Sequence, residues 1–313
     1  MELRQLRYFL AVLEHKSLGR AALELGIGTS ALSQQISKLE SELSTRLLSR
    51  TTTGVVPTNA GVAFQHHAQL TLRQAENAVQ AAQRGRMSGY VSVGLPPTTA
   101  SVLALPLISA MREKYPDIQL HLVESLSGHL ATQLNARQLD LAVLFQTDTG
   151  KRWSVMPLLD ETLFVIAAPT LEGAPTGESI QLQQLGNLPL VMPSLQHGLR
   201  STLMSAFERT GIEPNVIMEI DGLAVLMDTV KAGYAATIQP GAAAARSGKS
   251  GLLVVQISDA HVGRRNLLAS LSDDELSPAA LAARVVIVDV ARELVRSGCW
   301  PGSSLLNEPP RGR

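Results

Sequence analysis

The period of the hydrophobic pattern changes once along this chain of 313 residues, near Gly89. Before that point apolar residues recur at helical steps of three and four; after it, short runs of Val, Ile and Leu alternate with helical stretches. The first pattern asks for a helical unit and the second for an α/β unit, so separate domains are expected, each long enough to bury a core.

In the first part, Leu3, Leu6, Phe9, Leu10 and Leu13 place one apolar face on a helix over 2–14. Ser17 offers an N-cap for a short second helix over 18–25, which stops at Gly26, a residue that tolerates the left-handed backbone of a tight turn. Ala21 and Ala22 allow a third helix, over 29–43, to approach closely and bury Leu32, Ile36, Leu39 and Leu43. The opposite face of that third helix is Thr29, Ser30, Ser33, Gln34, Ser37 and Lys38. An ordinary solvated face carries Glu and Lys pairs, whereas this one is short-chained and nearly neutral. Such side chains can meet base edges and phosphates without leaving a charge unpaired, although a three-helix bundle with a serine-rich surface fits the same spacing. Leu47, Leu48 and the run Arg50-Thr-Thr-Thr-Gly54-Val-Val-Pro57 read as a hairpin beside the third helix, with Arg50 within reach of phosphate. Formal net charge is zero, yet residues 1–90 hold 10 Lys and Arg against 6 Asp and Glu, leaving 17 against 21 in the remainder. That asymmetry favours contact with a polyanion at the N-terminal end.

The stretch LRYFLAVLEHKSLGRAALELGIGTSALSQQISKLESELSTRLLSRTTTGVVPTNAG resembles the N-terminal signature of the LysR family of transcriptional regulators. The likeness rests on the Ala-Ala of helix two, the Ala-Leu-Ser of helix three, the Leu-Glu-x-x-Leu and the closing Pro-Thr-x-x-Gly. It implies a winged helix-turn-helix over 1–57 that binds double-stranded promoter DNA, with Thr29, Ser30, Ser33 and Gln34 facing the major groove. By the same resemblance Arg20, Lys38 and Arg50 lie where backbone contacts are expected. The family usually opens helix three with Ser-Gln-Pro; Gly28-Thr29-Ser30 stand here instead, so the usual Gln base contact is absent and the operator sequence does not carry over.

From Thr58 to about Met87 there is no proline, and Ala60, Phe64, Ala68, Leu72, Ala75, Val79 and Ala82 form one stripe on a helix about 40 Å long. A stripe of this length asks for a partner, so 58–89 is expected to be a linker and dimerisation helix with a hinge over 84–89. Packing on the helix's own domain is the alternative. The resemblance implies a homodimer through this helix and a homotetramer as a dimer of dimers. His66 and His67 are adjacent and should point apart, so no shared metal is expected.

Beyond Gly89, strands over 90–94, 118–124 and 139–145 alternate with helices over 101–115 and 128–136, which predicts a mainly parallel sheet. A second set follows, with strands over 163–168, 188–192, 216–220 and 234–238 and helices over 199–210 and 224–232; a last helix covers 277–296. The expected architecture is a two-lobed α/β domain over 90–301 that resembles the periplasmic-binding-protein-like effector domain of the family. Lobe I takes 90–162 and 265–301 and lobe II takes 163–264. Residues 302–313 are polar and proline-rich and are expected to be a disordered tail.

Open α/β sheets bind ligands where strands end and helices begin. Gly94-Leu-Pro-Pro-Thr98-Thr99-Ala-Ser101 brings hydroxyls to such a junction, and Met192-Pro-Ser194-Leu-Gln-His197-Gly198 does so in the second lobe. Simple N-capping suits Thr98, Thr99 and Ser101 equally well on spacing. The resemblance implies that Thr98 and Thr99 contact a small, anionic effector, with Ser101, Ser127, Ser194 and His197 as further candidates. Lys231-Ala-Gly233-Tyr-Ala-Ala-Thr-Ile-Gln-Pro240 resembles the family's Gly-x-Gly-x-Ala-x-x-Pro segment, with Gln239 where an apolar residue is usual. Residues 92–145 look closest to the nitrogen-assimilation control subgroup.

There is no Gly-x-Ser-x-Gly, no His-Glu-x-x-His and no glycine-rich phosphate loop, so neither an enzyme nor a resident cofactor is expected. The one cysteine, Cys299, excludes a disulfide framework and is expected to pack rather than react. No apolar run reaches about 18 residues, so a cytoplasmic protein with no membrane partner is expected. A solute-binding sensor without DNA binding would account for the second half alone.

Overall fold

In the computed structural model, which describes residues 1–51, 54–83, 88–145, 153–195, 198–245, 251–259 and 262–306, the chain divides into units at Met1–Gly89 and Tyr90–Arg313. The first unit runs α1 (Leu3–His15), α2 (Leu18–Glu24), α3 (Thr29–Glu42), β1 (Leu48–Thr51), β2 (Gly54–Pro57) and α4 (Asn59–Gln83). Ser17 caps α2 through its hydroxyl, which accepts from the Arg20 amide, and Gly26 takes φ +66° just beyond the helix. Leu6, Phe9, Val12, Leu32 and Leu39 close a core between the helices. Phe64 of α4 enters that core edge-on against Phe9, with centroids 5.2 Å apart, and Ala60, Ala68 and Leu72 join it. The N-terminal half of the expected dimer stripe is therefore occupied by the helix's own domain, while Val62 and Val79 stay exposed. Residues 84–87 of the expected hinge lie outside the described residues.

The Pro57-Thr58-x-x-Gly61 segment has a physical explanation. The Thr58 hydroxyl donates to the Arg46 carbonyl at 2.8 Å, accepts the Gly61 amide at 3.0 Å, and so caps α4 against the hairpin. A Cβ on Gly61 would stand 2.0 Å from the Leu47 carbonyl oxygen, so only glycine permits this approach.

The second unit begins with β3 (Gly89–Leu95), α5 (Pro97–Lys114), β4 (Ile118–Glu124), α6 (Ser127–Asn135) and β5 (Leu141–Leu144). It continues with β6 (Ser154–Ala167), β7 (Ser179–Ile180), β8 (Leu190–Met192), α7 (Gly198–Thr210), β9 (Val216–Glu219) and α8 (Leu223–Lys231). The chain closes with β10 (Thr237–Pro240), α9 (Ala242–Ala245), β11 (Leu253–Ile257), β12 (Gly263–Ser270), α10 (Pro278–Arg296) and β13 (Ser303–Ser304).

The main sheet has the order β4-β3-β5-β12-β6-β11-β7, with β10 and β13 also on β6. The expectation of a mainly parallel sheet is corrected here. β3 and β5 pair in parallel, as do β8 and β9, but β6 takes β10, β11, β12 and β13 antiparallel. The reason is that β6 serves both lobes: Ser154–Thr162 pair with β12, and from Leu163 onward the strand pairs with β10 and β11. One core gathers Val91, Leu103, Leu107, Val143, Ile287 and Trp300 on the β12 side, and another gathers Leu163, Val165, Leu203, Phe207 and Ile238.

Two further expectations change. Ser303 and Ser304 pair with Glu161 and Asp160, respectively, rather than starting a disordered tail; 307–313 lie outside the described residues. Cys299 is exposed, and it is the adjacent Trp300 that packs.

Gly61→Ala should lower the unfolding free energy by about 1–3 kcal/mol through overpacking. Gly28→Ala, where the nearest atom to a new Cβ is 3.8 Å away, should stay near the parent. Urea titrations of both variants decide this, and equal midpoints would refute the close-approach explanation.

Candidate nucleic-acid interface and ligand cleft

Apolar positions Leu32, Ile36 and Leu39 turn one side of α3 into the core, which obliges the other side to face outward. Thr29, Ser30, Gln34, Ser37 and Lys38 are exposed and Ser33 is half-buried. Gly28 is the N-cap, without a side-chain cap bond. Among the described residues, the hydroxyls of Thr29, Ser30, Ser33 and Ser37 make no hydrogen bond. Nothing among the described residues uses their hydrogen-bonding capacity.

The hairpin is fixed beside this face. Glu40 accepts the amides of Leu47 at 2.8 Å and Leu48 at 3.0 Å, and the Val55 amide donates to the Lys16 carbonyl at 2.9 Å. Between α3 and the hairpin runs a groove of about 950 Å³ whose lining includes Ser33, Ser37, Ser41, Thr45, Arg46 and Arg50. Arg20 is exposed on α2. Ser41, Thr45 and Arg46 were missed from sequence because they follow the last residue named on the helical polar face; Ser41 lies in the last turn of α3, and the loop that joins helix to hairpin carries Thr45 and Arg46 back to the groove.

The second site lies in the α/β unit. α5 starts at Pro97, four residues earlier than expected, so Thr98 and Thr99 sit in its first turn and are 6% and 0% exposed. Ser101 donates to the carbonyls of Thr98 at 2.6 Å and Ala242 at 2.8 Å, and Thr99 donates to Asn266 Oδ1 at 3.1 Å. Thr98 Oγ1 accepts Arg264 Nη2 at 2.6 Å. Arg264 in turn donates Nε to Glu161 Oε2 at 2.7 Å and lies 3.8 Å over the Phe145 ring. Asn266 Nδ2 reaches the same Glu161 oxygen at 2.7 Å and Trp300 Nε1 reaches the other at 2.8 Å. The Glu161 side chain is fully buried and meets three donors, the pairing that a buried carboxylate needs.

Neighbouring residues on these strands point to opposite faces. Arg264 and Glu161 are register partners inside, whereas the next pair, Arg265 and Asp160, joins outside by bonds of 2.7 and 3.0 Å. The adjacent Asp160 carboxylate raises the Arg265 guanidinium above its ordinary value.

Thr98 also lines a narrow cavity between the lobes with Pro97, Pro193, Asp221, Leu226 and Gln239. Ser194 is held by Asp221, through its amide at 2.8 Å and its hydroxyl at 3.1 Å. Ser127, at the first position of α6, is half-buried and does not line that cavity. His197 lies outside the described residues. Sequence reasoning missed Glu161, Asn266, Trp300 and Asp221. Asp221 does have a local signal, the same strand-to-helix junction between β9 and α8. The others meet across more than 100 residues of chain.

A winged helix-turn-helix joined to a two-lobed domain with an interlobe cavity defines a ligand-responsive DNA-binding regulator. Residues 3–62 match the model described as bacterial regulatory helix-turn-helix protein, lysR family, and residues 84–292 match the LysR substrate binding domain. The nitrogen assimilation regulatory protein nac of Klebsiella aerogenes is 33% identical over 295 residues, covering 93% of this chain and 95% of that protein. The chain belongs to the LysR family of DNA-binding transcriptional regulators. A mutant of Corynebacterium glutamicum OxyR shares 28% identity over 97% of this chain and 96% of its own, with a TM-score of 0.61. Full-length CbnR in complex with its target DNA, 23% identical over 93% of this chain and 100% of its own, shares the fold with a TM-score of 0.71.

Glu161→Ala should cost the second unit about 3–5 kcal/mol, because it leaves a buried cation unpaired. Asp160→Ala, in an exposed pair, should change stability by less than about 1 kcal/mol. Denaturant titrations followed by Trp300 fluorescence test the contrast, and equal losses would refute it.

Proposed function

We propose that the N-terminal unit reads operator DNA with α3 in the major groove and the β1–β2 hairpin against the backbone. The single observation that carries this reading is the α3 face, whose hydroxyls have no hydrogen-bond partner among the described residues and border a groove holding Arg46 and Arg50. Thr29, Ser30, Ser33, Gln34 and Ser37 address base edges, while Arg20, Lys38 and Arg50 address phosphates. The chain acts as a homodimer through α4, supported by the exposure of Val62 and Val79 along that helix, and as a dimer of dimers. It works in the cytoplasm, where its promoter DNA lies, and catalyses no reaction.

A small effector binds in the interlobe cavity, where Thr98 meets Gln239 and Asp221 from the other lobe. Thr99, Ser101 and Ser194 hold the walls rather than the ligand, since each hydroxyl is engaged with the protein. The ligand biases the lobes toward closure, and that population shift alters dimer geometry and DNA bend.

Gel shifts should show tighter binding to the chain's own upstream region than to random DNA of equal length, falling steeply with salt. Arg50→Ala should weaken all sequences alike and reduce the salt slope by about one. Gln34→Ala should cost about 1–3 kcal/mol at particular base pairs only. No preference for the upstream region would overturn the assignment.

A further inference from the structure

Ser33, Ser37 and Ser41 stand four residues apart on α3, so they form one line with rungs about 6 Å apart, and all three border the groove between α3 and the hairpin. The base-reading assignment uses the first two. The third lies in the last turn of the helix, and Thr45 and Arg46 join it from the loop that follows. Ser41, Thr45 and Arg46 are exposed, and among the described residues their side chains make no hydrogen bond or ion pair. The family resemblance assigns none of them a DNA contact.

The loop that carries Thr45 and Arg46 is held from both sides. The Ser44 amide donates to the Ser41 carbonyl at 3.1 Å, the Thr45 amide to the Glu40 carbonyl at 3.0 Å, and the Arg46 carbonyl accepts the Thr58 hydroxyl at 2.8 Å. Ser44 takes φ +50°, a left-handed conformation uncommon outside glycine, which ends α3 and turns the chain back toward the groove. The backbone beneath these donors is therefore ordered before any ligand arrives. Two guanidiniums, Arg46 and Arg50, line the groove against one carboxylate on its described lining, that of Glu40, whose Oε1 already meets the Leu47 and Leu48 amides. No aromatic ring stands on that lining, so unpaired bases would find nothing to stack on. Leu18, Leu48 and Val55 add apolar surface beside the hydroxyls and guanidiniums. Such donors next to such surface fit phosphate oxygens and the carbon face of a sugar, the parts of a duplex that carry no sequence.

We propose that Ser41, Thr45 and Arg46 form a clamp on the sugar-phosphate backbone of one strand of duplex DNA, which runs through the groove toward Arg50. The clamp presupposes that α3 is the helix that enters the major groove. It reads no base; by fixing where α3 stands along the duplex it brings Ser33 and Ser37 to base edges in one register.

The test is fluorescence anisotropy of the full chain with duplexes of its own upstream region and of random sequence, each over a range of salt concentrations. Arg46→Ala should weaken both duplexes by the same factor, about tenfold at low salt, and reduce the slope of log affinity against log salt by about one. Arg46→Lys, which keeps the charge, should keep the parent slope. Ser41→Ala and Thr45→Ala should each weaken both duplexes alike, by about threefold or more, with the slope unchanged. In a scan of duplexes with one phosphate replaced by an uncharged methylphosphonate, at least one position should weaken the parent and leave Arg46→Ala indifferent. An unchanged slope in Arg46→Ala, or losses confined to one of the two duplexes, would overturn the proposal. Gln34→Ala separates the clamp from the reading beneath it. If Gln34→Ala changes base preference while Arg46→Ala binds as the parent does, α3 stands as the reading helix and the clamp falls. If neither variant changes binding, the reading of α3 falls as well.

Discussion

A carboxylate removed from water must be met by donors, and Glu161 is met by Arg264, Asn266 and Trp300 at 2.7 to 2.8 Å. Its place in the chain explains why so much depends on it. Glu161 lies two residues before β6 exchanges the strand partners of one lobe for those of the other. Through Arg264 it fixes the crossing strand β12 and the Thr98 hydroxyl; through Trp300 it fixes the segment that leaves α10 and pairs with β6. The cavity wall on lobe I is thus positioned by a charge pair that is not itself on the described lining. Arg264 retains one buried N–H, at Nη1, without a partner, so the network is neutral overall but not saturated.

The N-terminal unit follows the same logic with weaker groups. Glu40 holds the hairpin by accepting two backbone amides, and Thr58 and Gly61 bring α4 against the end of that hairpin. These contacts consume the hydrogen-bonding groups on the inner side of the groove. Among the described residues the outer hydroxyls of α3 remain unused, which leaves an exposed, nearly neutral face beside Arg46 and Arg50. In the proposed reading, phosphate contacts would supply most of the affinity and the uncharged side chains the discrimination.

Much of this was legible in the sequence. The helices of the first unit, the hairpin and the strand-helix alternation after Gly89 follow from hydrophobic period and from turn residues, because those signals are local. The first part of β6 was not legible: Ser154–Thr162 carries Pro157 and two acidic residues, and its strand state depends on β12. Pro157 pairs with Leu267 where the register shifts, at the irregularity that admits a proline into a ladder. β12 opens with Gly-Arg-Arg-Asn, which reads as a loop until Glu161 and Asp160 are set opposite it. The candidate hydroxyls were found by the strand-to-helix rule, but the rule could not separate those that face the cavity from those that hold the wall. Thr98 and Thr99 are adjacent in sequence, and only the turn of α5 sends one to Arg264 and the cavity and the other to Asn266.

The departures from the family pattern fall at the two sites rather than in the frame that supports them. The Thr58 and Gly61 contacts that hold the hairpin follow the family signature, and a change there would break geometry that every use of the fold requires. Gly28-Thr29-Ser30 departs at the start of α3, on exposed residues whose replacement costs the core nothing. Gln239 departs within β10, where it is buried and does cost something, because an amide replaces an apolar side chain in a wall shared with Leu226. A surface departure can drift without a physical reason. A buried one must keep its amide in reach of water or a polar partner, and the cavity that Gln239 lines is where such a partner can stand.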